Sequence, residues 1–506
     1  MNANLFARLF DSLDDPNRLA IETLDGRRIS YGDLIARAGK VANVLVSRGV
    51  KVGDRVAAQT EKSVAGLVLY LAVVRAGAVY LPLNTAYTLN ELEYFLTDAE
   101  PSLVVCDSAK ADGIGAIAAK VGARVETLGA DGNGTLTDAA AKADAEFATV
   151  ARADDDLAAI LYTSGTTGRS KGAMLSHDNL ASNSFSLVDY WRFTERDVLI
   201  HALPIYHTHG LFVASNVTLF ARASMIFLPK FDPERVIQLM ARSTVLMGVP
   251  TFYTRLLQSP ALTREATKHM RLFISGSAPL LADTHREWAA RTGHAVLERY
   301  GLTETNMNTS NPYDGDRVPG AVGYPLPGVS VRVTDPETGK EIARDSVGMI
   351  EVKGPNVFKG YWRMPEKTRS EFRDDGFFIT GDLGKIDRNG YVHILGRGKD
   401  LVISGGFNVY PKEIESEIDA MPGVVESAVI GVPHADFGEG VTAVVVCAND
   451  ADLDEASVLR ALDGRLAKFK MPKRVFVVDE LPRNAMGKVQ KNILRNTYSD
   501  IYAKAK

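Results

Sequence analysis

Between about Val56 and Leu302 the chain alternates short apolar runs with longer stretches of helical periodicity. Residues 157–162, 198–203, 225–228, 244–249 and 272–275 are rich in Ile, Leu, Val and Met, the pattern of strands buried on both faces. Between two of them Asp232 is placed to cap a helix, Pro233 takes its first position, and Val236, Ile237 and Met240 recur on one face. Strand and helix in alternation predict an α/β fold with largely parallel sheets, whose binding residues gather at strand ends. Residues 63–74 form an uncharged stretch between Lys62 and Arg75, too short for the roughly 20 residues a bilayer requires. Residues 109–156 are Ala-rich and polar with weak periodicity, which predicts surface helix and loop.

The pattern changes after about Pro319. Short strand-like runs near 329–333, 349–352 and 391–395 are separated by Gly, Pro, Asn and Asp, predicting a small β subdomain over about 319–397. A second α/β block follows, with helices from about Lys412 and Glu455, strands near Ala428, Val441 and 475–478, and a terminal helix. The expected division is a large N-terminal domain of parallel and mixed sheets packed with helices, residues 1–397, and a smaller mobile domain, residues 398–506.

Composition narrows the function. The 506 residues carry 58 Lys and Arg against 62 Asp and Glu, a net charge of −4, so no basic excess exists to coat a polyanion and no nucleic-acid partner is expected. The two cysteines, Cys106 and Cys447, cannot form a disulfide framework, and residues 1–11 lack a signal-peptide apolar core. These features predict a cytoplasmic protein without membrane insertion, either a monomer or a homodimer.

The candidate chemistry begins at Thr163-Ser-Gly-Thr-Thr-Gly-Arg-Ser-Lys-Gly172, directly after the run 157–162. Gly165 and Gly168 let the backbone approach an anion, the hydroxyls of Thr163, Ser164, Thr166 and Thr167 donate hydrogen bonds, and Lys171 adds a mobile charge, so the loop suits a triphosphate. The spacing is not that of the P-loop, because Ser170 stands where that pattern needs glycine.

The same ten residues resemble the signature of the acyl-adenylate-forming (AMP-binding) superfamily, which groups acyl-CoA synthetases, luciferases and carrier-loading adenylation domains. Further motifs of that family follow in order: Tyr300-Gly-Leu-Thr-Glu-Thr305, Thr380-Gly-Asp-Leu-Gly-Lys385, Gly396-Arg-Gly-Lys-Asp400 with Ile403-Ser-Gly-Gly-Phe-Asn-Val-Tyr-Pro411, and Pro482-Arg-Asn-Ala-Met-Gly-Lys488. The resemblance implies ATP binding by the loop with Tyr300, Gly301, Thr303, Glu304, Asp382, Arg397 and Lys488, and Mg²⁺ at Glu304 and Thr163. It further implies catalytic roles for Lys488, Glu304, Lys171 and His207, a hinge at Lys399, and a thiol tunnel at Ser404, Gly405, Gly406 and Phe407.

Each role has a physical reading beside a structural one. Glu304 is a hard oxygen ligand beside a triphosphate or a plain surface carboxylate. Asp382, expected in an exposed turn flanked by glycines, accepts ribose hydroxyls or forms a structural ion pair; Arg397 donates to the same sugar or joins that pair. Lys488 stabilises charge on the α-phosphate, and its segment resembles that of a reversibly acetylated lysine, implying a lysine acetyltransferase and deacetylase as partners. Lys399 is a hinge or a solvated charge.

For the acid substrate, Arg299 precedes Tyr300 at the end of a run that reads as buried. A buried guanidinium needs an anion, either a second substrate carboxylate or Glu298. Ser277, His207 and, more weakly, Arg286 complete the candidates for the carboxylate. The run from Glu298 through Gly328 resembles the malonyl-CoA synthetase family, implying malonate, ATP and CoA as substrates. Methylmalonate, acetate or a fatty acid, or a non-catalytic nucleotide-binding module, are the alternatives. Lys468, Lys470, Lys473 and Arg474 form a basic cluster that meets CoA phosphates or is simply solvated.

Overall fold

The computed structural model describes residues 2–163, 170–405, 407–434, 436–448, 451, 453–484 and 488–502. The chain divides into two compact units, Met1–Val331 with Val352–Phe378, and Arg332–Glu351 with Ile379–Lys506.

Two sheets build the first unit. A six-stranded sheet runs in the order Arg124–Thr127, Leu103–Cys106, Arg55–Gln59, Val79–Pro82, Leu157–Thr163, Lys171–Ser176. Its first five strands are parallel, and the last returns antiparallel. The nine-stranded sheet has six parallel strands at its centre, ordered Leu297–Leu302, Leu272–Ser275, Val245–Gly248, Val198–His201, Ser224–Phe227, Leu19–Thr23, with antiparallel strands at both edges. The parallel strands expected from continuous apolar runs are therefore present, because helices cover both faces and leave no polar side to mark an alternation.

The apolar stretch after Lys62 becomes the helix Val64–Arg75, capped by the Ser63 side chain, which accepts from the Gly66 amide. Residues 66–75 of it are all buried, so it is apolar all round as a core helix must be. Among the described residues no helix is long and apolar enough to cross a membrane. The helix Pro233–Met240 forms as expected, its Asp232 side chain accepting from the Arg235 amide.

Two local expectations need correction. The strand begun at Val198 ends at His201 rather than near 203, since Pro204 follows and lacks a ladder donor. The stretch 109–156 does hold helices Ala111–Lys120 and Thr135–Ala141, but also the strand Arg124–Thr127. That strand sits at a sheet edge, where its polar side chains carry none of the apolar pattern on which the sequence reading relied.

The second unit holds most of a four-stranded sheet, ordered Ser330–Thr334, Gly348–Lys353, Phe378–Ile386, Val392–Arg397. Beyond it the long hairpin Val424–His434 with Gly438–Cys447 carries the strand Arg474–Val478 in parallel and packs the helix Pro411–Asp419. The large α/β unit, small β sheet and C-terminal α/β block match the expected mixed α/β fold class.

Candidate active site

In the first unit Thr163 ends one strand and Lys171 begins the next, and their ladder pairing brings the two ends of the phosphate loop together. Ser164, Gly165, Thr166, Thr167 and Gly168 lie outside the described residues. Lys171 points its ammonium at Glu371, 3.1 Å away, and over the ring of Tyr361 at 4.1 Å from the centroid.

Glu304 lies in the tight turn between strands Leu297–Leu302 and Asn306–Ser310. That hairpin closes so tightly that a Cβ on Gly301 would lie 1.8 Å from the Asn306 carbonyl, which excludes any larger residue there. The Tyr361 hydroxyl sits 3.0 Å from Glu304 Oε1 and 2.7 Å from Glu371 Oε2. One O–H donates to one carboxylate at a time, so the two acids compete for it. Tyr361 and Glu371 thus join Glu304 to Lys171, a link for which the sequence offered no signal beyond polar residues in 359–371.

Arg299 occupies the strand Leu297–Leu302 and is 3% exposed. Glu298 is not its counter-ion. Neighbouring strand residues point to opposite faces, and the Glu298 carboxyl instead accepts the Gly320 amide at 3.1 Å. Burial raises that carboxyl to about 8 and brings the Arg299 guanidinium down to about 9. Among the described residues Arg299 Nε and Nη2 have no hydrogen-bond partner.

Room for the guanidinium comes from Gly276, where a Cβ would lie 2.5 Å from Arg299 Cζ. The next residue, Ser277, is held in the left-handed region at φ 73°, a strained conformation of the sort that clusters at functional sites. Its Oγ lies 3.2 Å from His209 Nδ1. His209 is buried with Nε2 unpartnered among the described residues, and burial, then Arg299, push its protonation well below the ordinary imidazole range. His207 is half-buried against Tyr206 at 4.6 Å between ring centroids. Of the string His-Thr-His, in which His207 is the expected carboxylate residue, it is His209 that reaches Ser277. Arg286 is exposed and paired with Asp283 at 2.6 Å, as a solvated residue.

The remaining candidates belong to the second unit. Asp382 is not in an exposed turn: it lies within the strand Phe378–Ile386, 4% exposed, with Arg397 Nε 3.0 Å from its Oδ1. The glycines at 381 and 384 suggested a turn, but a Cβ on Gly384 would meet the His393 carbonyl at 2.3 Å, so that glycine serves the close approach of two paired strands. Lys399 is in the short turn Gly398–Asp400, its ammonium pushed down by burial. Ser404 is buried, Gly405 has φ 60°, and Phe407 is exposed with its ring 4.7 Å from that of Phe469; Gly406 lies outside the described residues.

Lys488 is exposed, and its amide donates to Asn484 Oδ1 at 3.0 Å. In the basic cluster Lys470 pairs with Glu413 and Arg474 with Glu455, while Lys473 lies over Phe437.

Fold and site together define a nucleotide-dependent, acyl-activating class. A family model described as AMP-binding enzyme matches residues 12–362, and one described as AMP-binding enzyme C-terminal domain matches residues 413–488. The chain belongs to the AMP-binding enzyme family. It is 36% identical to a malonate–CoA ligase of Arabidopsis thaliana, over 95% of this chain and 86% of that protein. A mitochondrial malonate–CoA ligase of Mus musculus is 35% identical over 89% and 84% of the two chains. Among solved structures, ATP-bound MatB from Rhodopseudomonas palustris superposes with a TM-score of 0.98 at 82% identity, covering 99% of this chain and 100% of that one.

Proposed function

We propose that this protein is an ATP-dependent malonate–CoA ligase that forms malonyl-CoA through malonyl-AMP. The carrying observation is Arg299: a buried guanidinium with two unpartnered nitrogens, and no carboxylate among the described residues to neutralise it. A charge so placed costs several kcal/mol until an anion arrives. A three-carbon diacid supplies that anion at one end and a reacting carboxylate at the other. The relatives named as malonate–CoA ligases support the same choice of acid.

In the first step an oxygen of the free carboxylate attacks the α-phosphorus of ATP and pyrophosphate leaves. Thr163, Ser164, Gly165, Thr166, Thr167, Gly168 and Lys171 hold the phosphates, Tyr300, Gly301 and Thr303 border the nucleotide, and Asp382 with Arg397 takes the ribose. Lys488 stabilises the charge that gathers on the α-phosphoryl oxygens, a contribution worth about 10²–10³ in rate. Arg299 grips the distal carboxylate with Ser277, His207 and His209 around it.

Glu304, a single carboxylate presented by a hairpin turn, fits Mg²⁺, which takes one or two carboxylates and fills its shell with phosphate oxygens and water. Thr163 would stand beside it, and the ion supplies neutralisation of the leaving pyrophosphate. In the second step the CoA sulfur, reached through Ser404, Gly405, Gly406 and Phe407 after movement at Lys399, bonds to the acyl carbon. AMP departs and the thiol proton passes to solvent. Acetylation of Lys488 by a lysine acetyltransferase, reversed by a deacetylase, would remove the charge the first step uses. The setting proposed is the cytoplasm.

Pyrophosphate release measured across malonate, methylmalonate, acetate, butyrate and a long-chain acid tests the reading. Malonate should be turned over far faster than any monoacid; equal or better turnover of acetate or butyrate would sink the malonate assignment, and no AMP from any acid would leave a nucleotide-binding module.

A further inference from the structure

A cavity of about 620 Å³ in the first unit lies apart from every residue assigned above. It opens over the carboxyl ends of strands Ser224–Phe227 and Leu19–Thr23, near Phe227 and Thr23. Two parallel strands, Val198–His201 and Val245–Gly248, stand between the nearer of these and Leu272–Ser275, so three strand spacings, about 14 Å, separate the cavity from Ser275 and Gly276 along the same carboxyl edge. Ligands of parallel sheets bind along that edge.

The lining is cationic. Arg27, Arg37, Lys40 and Lys62 face the cavity, with Asp25 and Asp131 the carboxylates among its walls. Asp25 is already taken by Arg27, 2.8 Å away, and Asp131 accepts from the amide and side chain of Asn133. Arg37 and Lys40 stand on one face of the helix Tyr31–Ser47, where Arg37 feels Asp33 one turn away. Neither makes an ion pair or hydrogen bond among the described residues. Val41, Val64, Val68, Leu136 and Phe227 give the cavity an apolar floor.

Lys62 is the anomaly. It is 9% exposed, its ammonium donates to the His201 carbonyl at 2.7 Å, and His201 Nδ1 lies 2.9 Å from it. The ring of Phe227 covers it at 4.4 Å, and no carboxylate among the described residues pairs with it. Burial accordingly drives its protonation well below the ordinary lysine range. An ammonium has three donors, and the cavity is where an anion would meet the third.

We propose that this cavity is a second ligand site, which takes a small organic phosphate with an apolar body: Arg37, Lys40 and Lys62 grip the dianion and the aliphatic floor holds the rest. The site reports to the acyl pocket. With Nδ1 turned to Lys62, His201 presents Nε2–H to the Gly210 carbonyl, 2.9 Å away, and Ser215 Oγ donates to the same carbonyl. Both belong to the π-helix His209–Ser215, whose first residue holds Ser277. π-Helical turns recur at functional sites because they store an irregular, shiftable ladder. An anion in the cavity that draws the Lys62 ammonium away from His201 therefore alters the histidine that anchors this π-helix, and with it the position of His209 beside Ser277.

The test uses phenyl phosphate as probe and phenol as its uncharged control, titrated into the full-length protein by calorimetry. One site should bind phenyl phosphate and not phenol, and Arg37→Ala/Lys40→Ala should weaken it about tenfold or more while ATP affinity stays unchanged. Lys40→Gln alone, a milder change, should weaken it in the same direction. No binding to the wild type, or unchanged binding in both variants, overturns the site. The reporting step rests on the malonate reading: saturating phenyl phosphate should shift KM for malonate about fivefold and leave KM for ATP alone, with the shift lost in Lys62→Met. An unmoved KM would overturn the coupling while the calorimetry, which needs no turnover, still judges the site.

Discussion

Arg299 concentrates the specificity of the protein in one charge. Replacing it with Gln removes the anchor for a second carboxylate, and kcat/KM for malonate should fall about 10²–10³-fold with turnover of butyrate not reduced. Gly276→Ala should reproduce much of that loss without touching a charge, since its Cβ would lie 2.5 Å from the guanidinium carbon. Assaying both variants on the same pair of acids checks this; a uniform loss on both acids would mark a fold defect instead. Glu298, on the opposite face, yields a pH prediction. Its carboxyl is raised from 4.5 to about 8 in the folded protein, so the native state favours the protonated form. Its stabilising contribution is complete below the unfolded value of 4.5 and is lost as pH rises through about 8. Thermal unfolding should show the wild type losing on the order of 3–5 kcal/mol more than Glu298→Gln between pH 4.5 and pH 8.

At the scale of elements the helix Val64–Arg75 holds the two sheets of the first unit to one core, which its buried Leu67, Leu69 and Leu71 enter. Leu69→Ala should cost about 2–5 kcal/mol, whereas Val46→Ala on the exposed side of the helix Tyr31–Ser47 should stay within about 0.5 kcal/mol. Chemical denaturation with an unchanged m-value checks both. These helices were legible because periodicity and capping are local: Asp232, Pro233 and the residues that follow announce their helix within one turn of chain. The strand Arg124–Thr127 was not, because its partner Leu103–Cys106 pairs with it across 21 positions, Leu103 with Arg124, and its own side chains are those of a surface. Asp382 misled for a related reason, since glycine serves a turn and a close strand approach equally well.

For the whole molecule the test is whether the two half-reactions separate. Lys488 belongs to the second unit and the phosphate loop to the first. Lys488→Ala should reduce malonyl-AMP formation about 10²–10³-fold yet largely spare thioester formation from supplied malonyl-AMP, read by pyrophosphate release and by CoA consumption. Equal damage to both halves would refute the division of labour, and full activity in protein acetylated at Lys488 would refute the proposed regulation.

What the sequence determined on its own was the alternation that makes parallel sheets, the hydroxyl-rich loop ending at Lys171, and the chemical identity of the charges. These depend on residues within a few positions of one another, where backbone sterics and spacing decide the outcome. Tertiary structure decided which charges are answered. Tyr361 reaches Glu304 across 57 positions and Lys171 reaches Glu371 across 200, and Arg299 Nε and Nη2 lack a partner among the described residues because the folded chain brings no carboxylate to the face that Gly276 clears for them. Whether a buried charge has a counter-ion is set by what the folded chain brings within a few ångströms of it, and no local pattern contains that distance.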